Sequence, residues 1–470
     1  MKAIVKVFIA IILFTFTFTG IHVAQEVDPW NRVKQISDSI GTINFPAFSL
    51  NVIDFGATGN GTFNNTNAFK KTISACAKKG GGKIIVPAGK FLTGPIHLAS
   101  NINLCLEEGA EILFSTNPDD YYPLVHTSFE GVELMNYSPL IYAYNCTNVG
   151  ITGKGTLNGQ ADNEKWWPWC GKKEYGWKSG MPSQNDSANR PALERMAKEM
   201  RTVENRKFGK RHYLRPTFIE PFSCTNVLIE GVKIINAPFW IIHPIKCKNV
   251  IVDGVHVESH GPNNDGCDPE YSKNVIIRNS LFNTGDDCIA IKSGRNEDGR
   301  RVGIKSENII VQKCRMIDGH GGIVIGSEVS AGVSNVYAED CIMSSPELDR
   351  IVRIKTNSKR GGTIENIYAR NIEVGQVKEA VLHITMFYDV YGSQTGKYLP
   401  VVRNINLENI HVKNGGKYGI WAQGYKESPI NGITLKNVTI ENAENDFFIE
   451  NAENIRFINS SVNGKPLETK

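Results

Sequence analysis

Apolar and polar residues alternate along this chain in short segments that each begin with asparagine. Apolar residues follow the asparagine at positions +1, +3, +6 and +8, as in NVIVDGVHVE from Asn249 and NVIIRNSLFN from Asn274. The spacing of two predicts short strands, and the break between +3 and +6 predicts a turn. A third apolar segment, such as CIAIKSG or GIVIGSE, follows. Each unit therefore predicts three strands.

The unit recurs through most of the chain, at shortest intervals of 23, 25, 23 and 27 residues. The segment at Asn431 fits with a one-residue slip. Ten asparagines begin a unit: Asn148, Asn226, Asn249, Asn274, Asn308, Asn335, Asn366, Asn404, Asn431 and Asn454. Three strands per coil of about 25 residues are typical of a solenoid. We predict an all-β, right-handed parallel β-helix of about ten coils, with the asparagines stacked and bonded to neighbouring backbone.

Two segments interrupt the repeat. Residues 57–78 begin with turn residues and continue with helical spacing at Phe69, Ile73 and Ala77, which predicts a helix that caps the N-terminal end of the solenoid. Residues 165–212 are polar and partly helical, which predicts an insertion beside the solenoid. The insertion contains four tryptophans: Trp166, Trp167, Trp169 and Trp177. They either stack on sugar rings or anchor the insertion, and both interpretations are open.

Residues 1–24 combine two early lysines with an apolar stretch over Val7–Thr19. This pattern predicts a signal peptide that is removed after Ala24, and therefore an exported protein. The remaining residues, 25–470, are expected to form a single parallel β-helix domain. No other segment approaches the roughly 20 apolar residues that a membrane span needs.

The net charge is only +4 over 470 residues, which is too weak to indicate a nucleic-acid partner. None of the ten cysteines forms a Cys-x-x-Cys pair, so a zinc site is not expected. Cys224 and Cys247 precede their repeat asparagine by two residues, and Cys314 and Cys341 follow theirs by six. This constant phase predicts buried core positions and not disulfides. We expect a monomer.

Alignment of the coils by their third strands brings several acid/base residues together. Asp286 and His320 each lie 12 residues after the asparagine of their repeat. Asp265 precedes Asp287 by 22 residues, which is one coil. The four side chains are therefore expected on one face, separated by strand spacings of about 4.8 Å.

Cations are expected next to these acids. Arg353 and Lys355 lie on the following coil, and Gly326 leaves room between Lys292 and Lys355. Adjacent carboxylates hold one proton at a raised pKa, so that one acts as an acid and its partner as a base. Glycoside hydrolysis needs such a pair, and cations suit a substrate that carries carboxylates. Asp268 aligns with a third-strand position and is left out of the chemistry.

Four short motifs, one per coil, make the chain resemble the polygalacturonases, which are glycoside hydrolases of family 28. The family motifs Asn-Thr-Asp, Asp-Asp, His-Gly and Arg-Ile-Lys match, in order, Asn263-Asn264-Asp265, Asp286-Asp287, His320-Gly321 and Arg353-Ile354-Lys355. The first motif departs from the family pattern in having Asn264 where the family has threonine. Longer segments, such as VIDFGATGNGTFNNTNAFKKTI and APFWIIHPIKC, are also similar.

The resemblance implies hydrolysis of α-1,4-galacturonosidic bonds in pectic polygalacturonan, with inversion and without a metal or cofactor. It implies that Asp286 is the general acid, that Asp265 and Asp287 hold the attacking water, and that His320 tunes the acid. The residues implied in substrate binding are Asn263, Gly321, Arg353, Lys355 and Tyr388, with Tyr391 as the substitute for Tyr388. We expect exo action, because the 165–212 insertion can close one end of the groove.

Several alternatives are open. Carboxylates one coil apart would, by distance alone, indicate a retaining enzyme, although the resemblance implies inversion. Rhamnogalacturonan or xylogalacturonan is an alternative substrate within the same family. A pectate lyase would use Asp265, Asp286 and Asp287 to hold calcium, and a non-catalytic solenoid would only bind glycan.

Overall fold

The computed structural model describes residues 28–389 and 395–468, which form a parallel β-helix with three sheets. The predicted signal peptide and Tyr391 lie outside the described residues. Within the described residues, no helix is long and apolar enough to cross a membrane.

Sheet 1 contains the first strand of each coil: Ser49–Asn51, Gly82–Val86, Ile102–Leu106, Thr147–Gly153, Thr225–Glu230, Lys248–Asp253, Lys273–Arg278, Ser306–Gln312, Val333–Glu339, Thr363–Gln376, Val401–Asn414, Ile430–Ile440 and Ala452–Ile458. Sheet 2 contains the second strands: Asn60–Asn64, Gly89–Thr93, Ala110–Phe114, Thr156–Asn158, Lys233–Ile235, His256–Ser259, Leu281–Thr284, Arg315–Asp318, Ile342–Met343 and Ser461–Val462. In the three coils before the last, the first and second strands are continuous, so that the sheet 1 strands Thr363–Gln376, Val401–Asn414 and Ile430–Ile440 also belong to sheet 2.

Sheet 3 contains the third strands: Ile96–Leu98, Ile141–Tyr144, Ile219–Phe222, Ile289–Ile291, Ile323–Gly326, Arg350–Lys355, Ala380–Thr385, Gly416–Gln423 and Ala443–Glu450. Single bridges through Ile242 and Cys267 continue it between the strands at 219–222 and 289–291. Three further strands lie outside this pattern, two in an antiparallel hairpin and one at the C-terminus: Val125–Phe129, Val132–Asn136 and Lys465–Pro466.

Four α-helices accompany the sheets: α1 (Asn31–Ile40), α2 (Thr66–Lys78), α3 (Arg190–Lys198) and α4 (Asn296–Val302). Short 3₁₀ helices occur at five places: Val52–Phe55, Pro118–Tyr121, Trp167–Cys170, Lys173–Tyr175 and Val203–Asn205. The predicted cap corresponds to α2, which buries Phe69 and Ile73 in the main core. Sequence reasoning missed α1, which packs on the outer face of sheet 1 against Ile251, Ile276 and Ile310.

The prediction of a parallel β-helix is confirmed. The ten coils expected from the asparagine repeat are present, and sheet 1 has three earlier strands, beginning at Ser49, Gly82 and Ile102. The first two strands have no leading asparagine. The third follows Asn101, which accepts from Asn148 Nδ2 at 2.9 Å and extends the asparagine column, but Glu107 and Gly109 occupy the +6 and +8 positions where the repeat has apolar residues.

The core consists of inward side chains that stack in register from coil to coil. One such column is formed by Val227, Val250, Val275, Ile309 and Val336, each at most 1% exposed. Burial of one aliphatic side chain of this kind stabilises the fold by about 1.5–3 kcal/mol. All ten cysteines are free, and those predicted in the core columns are buried, which confirms their assignment to the core.

The repeat asparagines form a ladder along one turn of the solenoid. Asn249 adopts φ 60° and donates from Nδ2 to Oδ1 of Asn226 at 3.0 Å, and Asn274 donates to Asn249 at 3.3 Å. The ladder bonds join side chain to side chain, and not side chain to backbone as we expected. The slip at Asn431 is also explained, since Gly432 takes the left-handed conformation there, with φ 80°.

Replacement of a ladder residue should separate the backbone effect from the hydrogen bonds. Asn249→Ala loses two amide bonds, worth about 0.5–1.5 kcal/mol each, and places an alanine in the left-handed region, which costs about 1–2 kcal/mol. Asn249→Gly loses the bonds without this strain. We expect thermal unfolding midpoints in the order wild type, Asn249→Gly, Asn249→Ala. Equal midpoints for the two variants would contradict the conformational role.

Candidate active site

The coil register brings the predicted site residues to one stretch of sheet 3 and the turn that precedes it. Ala290 pairs with Val324, which pairs with Arg353, as expected from the sequence. Cys267 pairs with Ile289, so that Asp265 lies one coil from Asp287. The predicted alignment of the catalytic coils is therefore confirmed.

Asp286 and His320 form a close pair at the surface of the site. His320 Nδ1 lies 3.0 Å from Asp286 Oδ1, and the backbone N–H of His320 donates to the carbonyl of Asp286 at 3.1 Å. Burial opposes ionisation of Asp286, but the nearby imidazolium outweighs burial and lowers the Asp286 pKa below its usual value. The same attraction raises the pKa of His320 to about 9. The pair therefore holds one proton at neutral pH, and the imidazole carries it.

Asp287 forms ion pairs with two cations, Lys355 and Arg353, which lie two coils further along the chain. Lys355 Nζ lies 2.6 Å from Oδ2 of Asp287, and Arg353 Nη1 lies 3.3 Å from Oδ1. Burial disfavours the charged carboxylate, but Lys355 and Arg353 lower the Asp287 pKa below its usual value. Gly326 makes the approach of Lys355 possible, because a β-carbon there would lie 2.0 Å from the Lys355 carbonyl oxygen.

Asp265 shares a buried lysine with Asp268 and Glu328. Lys292 Nζ lies 3.2 Å from Asp265 Oδ2, 3.4 Å from Asp268 Oδ1 and 3.6 Å from Glu328 Oε2, and it also lies 4.3 Å from the ring centroid of Trp240. Burial and the neighbouring Asp268 raise the pKa of Asp265 well above its usual value. Burial raises the pKa of Asp268 to about 7. Glu328 also pairs with Arg360 at 3.7 Å, which leaves Lys292 to balance both aspartates. Two acids against one lysine favour one shared proton between Asp265 and Asp268.

Sequence reasoning left Asp268 out, and the structure shows why it belongs with the site. The sequence alignment placed Asp268 on the third strand of its coil, and the structure agrees. At that position, however, the side chain points outward from the solenoid and contacts Lys292. The side chain is fully buried, and its contact with Lys292 is an ion pair at 3.4 Å. Asp268 therefore positions Lys292 and modulates the charge of Asp265.

Asn263 is held towards the site by an arginine that the sequence did not indicate. Arg215 Nη2 donates to Oδ1 of Asn263 at 2.8 Å and to Oε1 of Gln184 at 3.0 Å. Gln184 belongs to the predicted insertion, so this fully buried guanidinium ties the insertion to the first catalytic motif. Asn264, the departure from the family motif, is buried and donates to the carbonyl of Ala237 at 3.2 Å, which makes it a structural residue.

An open pocket of about 340 Å³ lies over these groups. Asn263, Asp286, His320, Arg353 and Tyr388 all line it. Tyr388 lies with its ring 5.6 Å from the Arg353 guanidinium and 5.3 Å from Lys355 Nζ. Gly321 is buried beneath the Arg353 side chain. Because glycine has no side chain, Gly321 can contribute to substrate binding only through its backbone.

The pocket has further lining residues that the motifs did not reveal: Cys170, Lys172, Gln184, Asn185, Asp349 and Arg350. Arg350 donates from Nη1 to the carbonyl of His320 at 3.1 Å and to Asp349 Oδ2 at 3.1 Å. Alternation along the strand predicts that Arg350 and Arg353 face opposite sides, so the sequence contained no signal for Arg350 in the pocket. The insertion residues lacked any signal, because they reach the pocket only through tertiary packing.

The tryptophans of the insertion are mostly anchors. Trp166 is buried in the main core, Trp167 donates from Nε1 to the carbonyl of Ala237 at 2.9 Å, and Trp169 packs on Tyr213. Trp177 bonds within the insertion, to the carbonyl of Met181 at 2.8 Å. None of the four lines the pocket.

The acidic groups were also considered as a cation site. Among the described residues, donor atoms of Asp286, Asp287 and His320 lie within 4.8 Å of one another. However, Lys355 and Arg353 already pair with both oxygens of Asp287, and a divalent cation would have to displace them. This charge balance favours acid/base hydrolysis over a calcium-dependent elimination.

The clustered carboxylates in an open groove of a parallel β-helix are suited to paired-carboxylate chemistry on a polysaccharide. A sequence profile for the glycosyl hydrolases family 28 matches residues 202–461. A second profile, described as rhamnogalacturonase A/epimerase, pectate lyase-like, matches residues 49–109. Because the first match covers more than half of the chain, the protein belongs to glycoside hydrolase family 28.

Three relatives illustrate the similarity. A hyperthermoactive exopolygalacturonase from Thermotoga maritima is 45% identical, with a TM-score of 0.89 over 93% of this chain and 98% of that one. A family 28 exopolygalacturonase from Yersinia enterocolitica shares the fold at 23% identity, with a TM-score of 0.67 over 90% of this chain and 80% of that one. A probable polygalacturonase from Vitis vinifera is 28% identical over 415 residues, covering 85% of this chain and 75% of the relative.

Removal of the imidazole should shift the alkaline limb of the pH profile. The Asp286–His320 pair keeps its proton up to a pKa of about 9, so an acid supplied by this pair fails only as pH rises through that value. In His320→Gln the proton must reside on Asp286 alone, and the limb should move to lower pH. The measurement is kcat/KM against pH. An unchanged alkaline limb would show that the pair does not supply the proton.

Neutralisation of Asp268 should shift the acidic limb of the kcat/KM–pH profile to lower pH. Asp268→Asn removes a negative neighbour that raises the Asp265 pKa and leaves Lys292 to Asp265. A base at Asp265 would then ionise at lower pH, so the acidic limb of kcat/KM should move down. Asp253→Asn, which removes a partly exposed carboxylate paired with Arg278, is the control and should leave the limb in place. Equal profiles for both variants would exclude the proposed coupling.

Proposed function

We propose that the protein is an exo-polygalacturonase that hydrolyses α-1,4-galacturonosidic bonds from the ends of pectic chains. The observation that carries this proposal is a carboxylate cluster, flanked by Arg353 and Lys355, at the base of a pocket that Asp286, His320 and Arg353 line. We infer that this pocket is closed on one side. The strong similarity to the Thermotoga maritima exopolygalacturonase supports it.

The closed side is built by the hairpin Val125–Asn136 and the insertion. Thr127 donates to Oε2 of Glu220 at 2.8 Å, and Ser128 donates to Oε2 of Glu270 at 3.2 Å. The hairpin therefore lies on outward residues of sheet 3, from a coil that precedes the site to the coil of Asp265. Phe129 stacks on Phe239 at 4.9 Å, within a small core shared with Leu193 of α3. A polymer therefore cannot continue past the site towards the N-terminal coils, which favours cleavage near a chain end.

Buried ion pairs fasten this wall to the β-helix. Arg206 pairs with Asp298 of α4 at 2.7 Å, and Arg295 pairs with Glu130 of the hairpin turn at 2.7 Å. All four side chains are at most 6% exposed. Further ion pairs extend both contacts, because Arg301 also pairs with Asp298 at 2.8 Å, and Glu194 with Arg295 at 2.6 Å. Loss of Asp298 would leave the buried Arg206 without its carboxylate partner, which typically costs about 3–5 kcal/mol. The wall is therefore a fixed part of the site.

The proposed roles follow from the charges. Asp286 delivers the proton of the Asp286–His320 pair to the leaving oxygen, while Asp265 and Asp287 hold the attacking water. Arg353 and Lys355 bind the carboxylate of a galacturonate unit. When they turn towards the substrate, Asp287 loses part of its compensation and becomes a stronger base. We propose inversion, with water held between the two aspartates on the face opposite Asp286.

We also propose that the protein is exported. The apolar stretch over Val7–Thr19 after two lysines supports this, and a polymeric pectic substrate must be attacked outside the cytoplasm.

Product analysis tests the proposed activity. On a galacturonate hexamer with a labelled reducing end, the wild type should release one small product from the start, with stepwise shortening of the remainder. Asp286→Asn should lose nearly all activity, whereas Asp253→Asn should keep it. Early release of long fragments would contradict exo action, and an unsaturated product that requires calcium would contradict hydrolysis. The anomer formed first, observed by proton NMR, tests inversion.

A further inference from the structure

A column of aromatic side chains continues the active site along sheet 3, on the coils that follow it. Arg353 pairs in register with His383, His383 with Trp421, and Trp421 with Phe448. The residues beside them in each strand, such as Leu382 and Ile420, are buried in the main core. Because side chains alternate in a strand, the column faces outward from the solenoid.

The rings of this column are in contact with one another. The ring centroids of His383 and Trp421 lie 5.6 Å apart, and those of Trp421 and Phe448 lie 4.4 Å apart in a stacked arrangement with an interplanar angle of 28°. Tyr418 packs edge-on against Trp421 at 4.7 Å. All four rings are partly exposed. We name His383, Tyr418, Trp421 and Phe448 the aromatic strip.

The strip is joined directly to the catalytic pocket. Arg350, which lines the pocket, donates from Nε to Nδ1 of His383 at 2.8 Å. Burial and the adjacent Arg350 and Arg353 lower the pKa of His383 to about 3. His383 is therefore neutral at the pH of most buffers and acts as an aromatic surface, without adding a charge next to Arg353.

The column has no evident structural duty. The interior of these coils is already filled by aliphatic side chains such as Leu382, Ile384 and Ala422. A contiguous, partly exposed apolar surface next to a polar pocket is characteristic of a binding site. Pyranose rings present apolar C–H faces that pack on aromatic rings, while their hydroxyl and carboxylate groups stay in water.

We propose that the aromatic strip binds the part of the galacturonan chain that lies beyond the bond being cleaved. This inference rests on the proposed function. The hairpin and insertion close the pocket towards the N-terminal coils, so a polymer whose end is being removed has only the C-terminal direction in which to extend. The strip begins one coil from Arg353 in that direction and covers the next three coils.

The charges beside the strip suit a polyanion better than a neutral glycan. Arg350 lies at its start, and Lys378 and Lys417 lie on the same coils, each more than half exposed. Lys378 Nζ is 3.5 Å from Asp349, and Lys417 Nζ is 2.8 Å from Glu379. Arg350 pairs with the same two acids, so three cations are balanced there by two carboxylates. Such pairs are weak and can be exchanged for a substrate carboxylate.

The strip predicts an effect that depends on substrate length. Trp421→Ala removes the central ring, and we expect kcat/KM for a galacturonate hexamer to fall on the order of tenfold, mainly through KM. The shortest oligomer that the wild type cleaves should show less than a twofold change, because it does not reach the strip. Trp421→Phe should restore most of the loss. Phe63→Ala, which removes an aromatic ring on sheet 2 that is 49% exposed, is the control and should act as wild type on both substrates.

Unequal loss on long and short substrates would support the strip, and equal loss or no loss would overturn it. Both substrates are assayed well below the thermal unfolding midpoint of Trp421→Ala, so that an equal loss cannot be caused by unfolding. Calorimetric binding of the hexamer to Asp286→Asn, with and without Trp421→Ala, separates this inference from the proposed function. If the wild type cleaves no galacturonate oligomer but the hexamer binds with the tryptophan dependence, only the hydrolytic assignment fails. If the hexamer binds equally to both proteins, the strip fails.

Discussion

The parallel pairing of one coil with the next determines where every functional group of this protein lies. Side chains 22 residues apart, such as Asp265 and Asp287, become neighbours only because their coil closes in register. The asparagine ladder helps to hold that register, since each rung must present a left-handed residue at the same turn. An extra residue on the strand before Asp286 would move it away from His320, because alternate strand positions face opposite sides of the sheet. The chemistry therefore inherits its precision from the stacking of the coils.

Charge balance is the second constraint. Asp287 is paired with Lys355 and Arg353, Asp265 and Asp268 share Lys292, and Asp286 shares a proton with His320. Each carboxylate thus has a different environment, so that the groups ionise in different pH ranges although all are aspartates in one cluster. In the substrate-free site the proton of the outer pair resides on His320, so we expect proton delivery to involve the pair and not the isolated carboxyl of Asp286.

Much of this arrangement could be predicted from the sequence because the repeat is regular. The asparagine spacing and the third-strand alignment are local patterns, and they correctly placed Asp286 with His320 and Gly326 beside Lys355. Helix α1 was missed although a signal existed, since Ile251, Ile276 and Ile310 are apolar at a repeat position that should face solvent. Arg215 and the hairpin could not be predicted in this way, because their contacts join segments tens of residues apart with no shared periodicity. Asp268 was misjudged because alignment places a backbone position and does not say which charges surround its side chain.

The wall that closes the groove has a small core of its own, formed by residues such as Phe129, Leu193 and Phe239, separate from the core inside the coils. The two segments that build it leave the cylinder and return without changing the pairing of sheet 3. Length and sequence changes in these segments can therefore alter how a polymer enters while the catalytic coils stay as they are. In such an architecture, the catalytic coils determine the chemical step, and the wall determines whether chain ends or chain interiors are attacked. The two properties can therefore diverge independently during evolution.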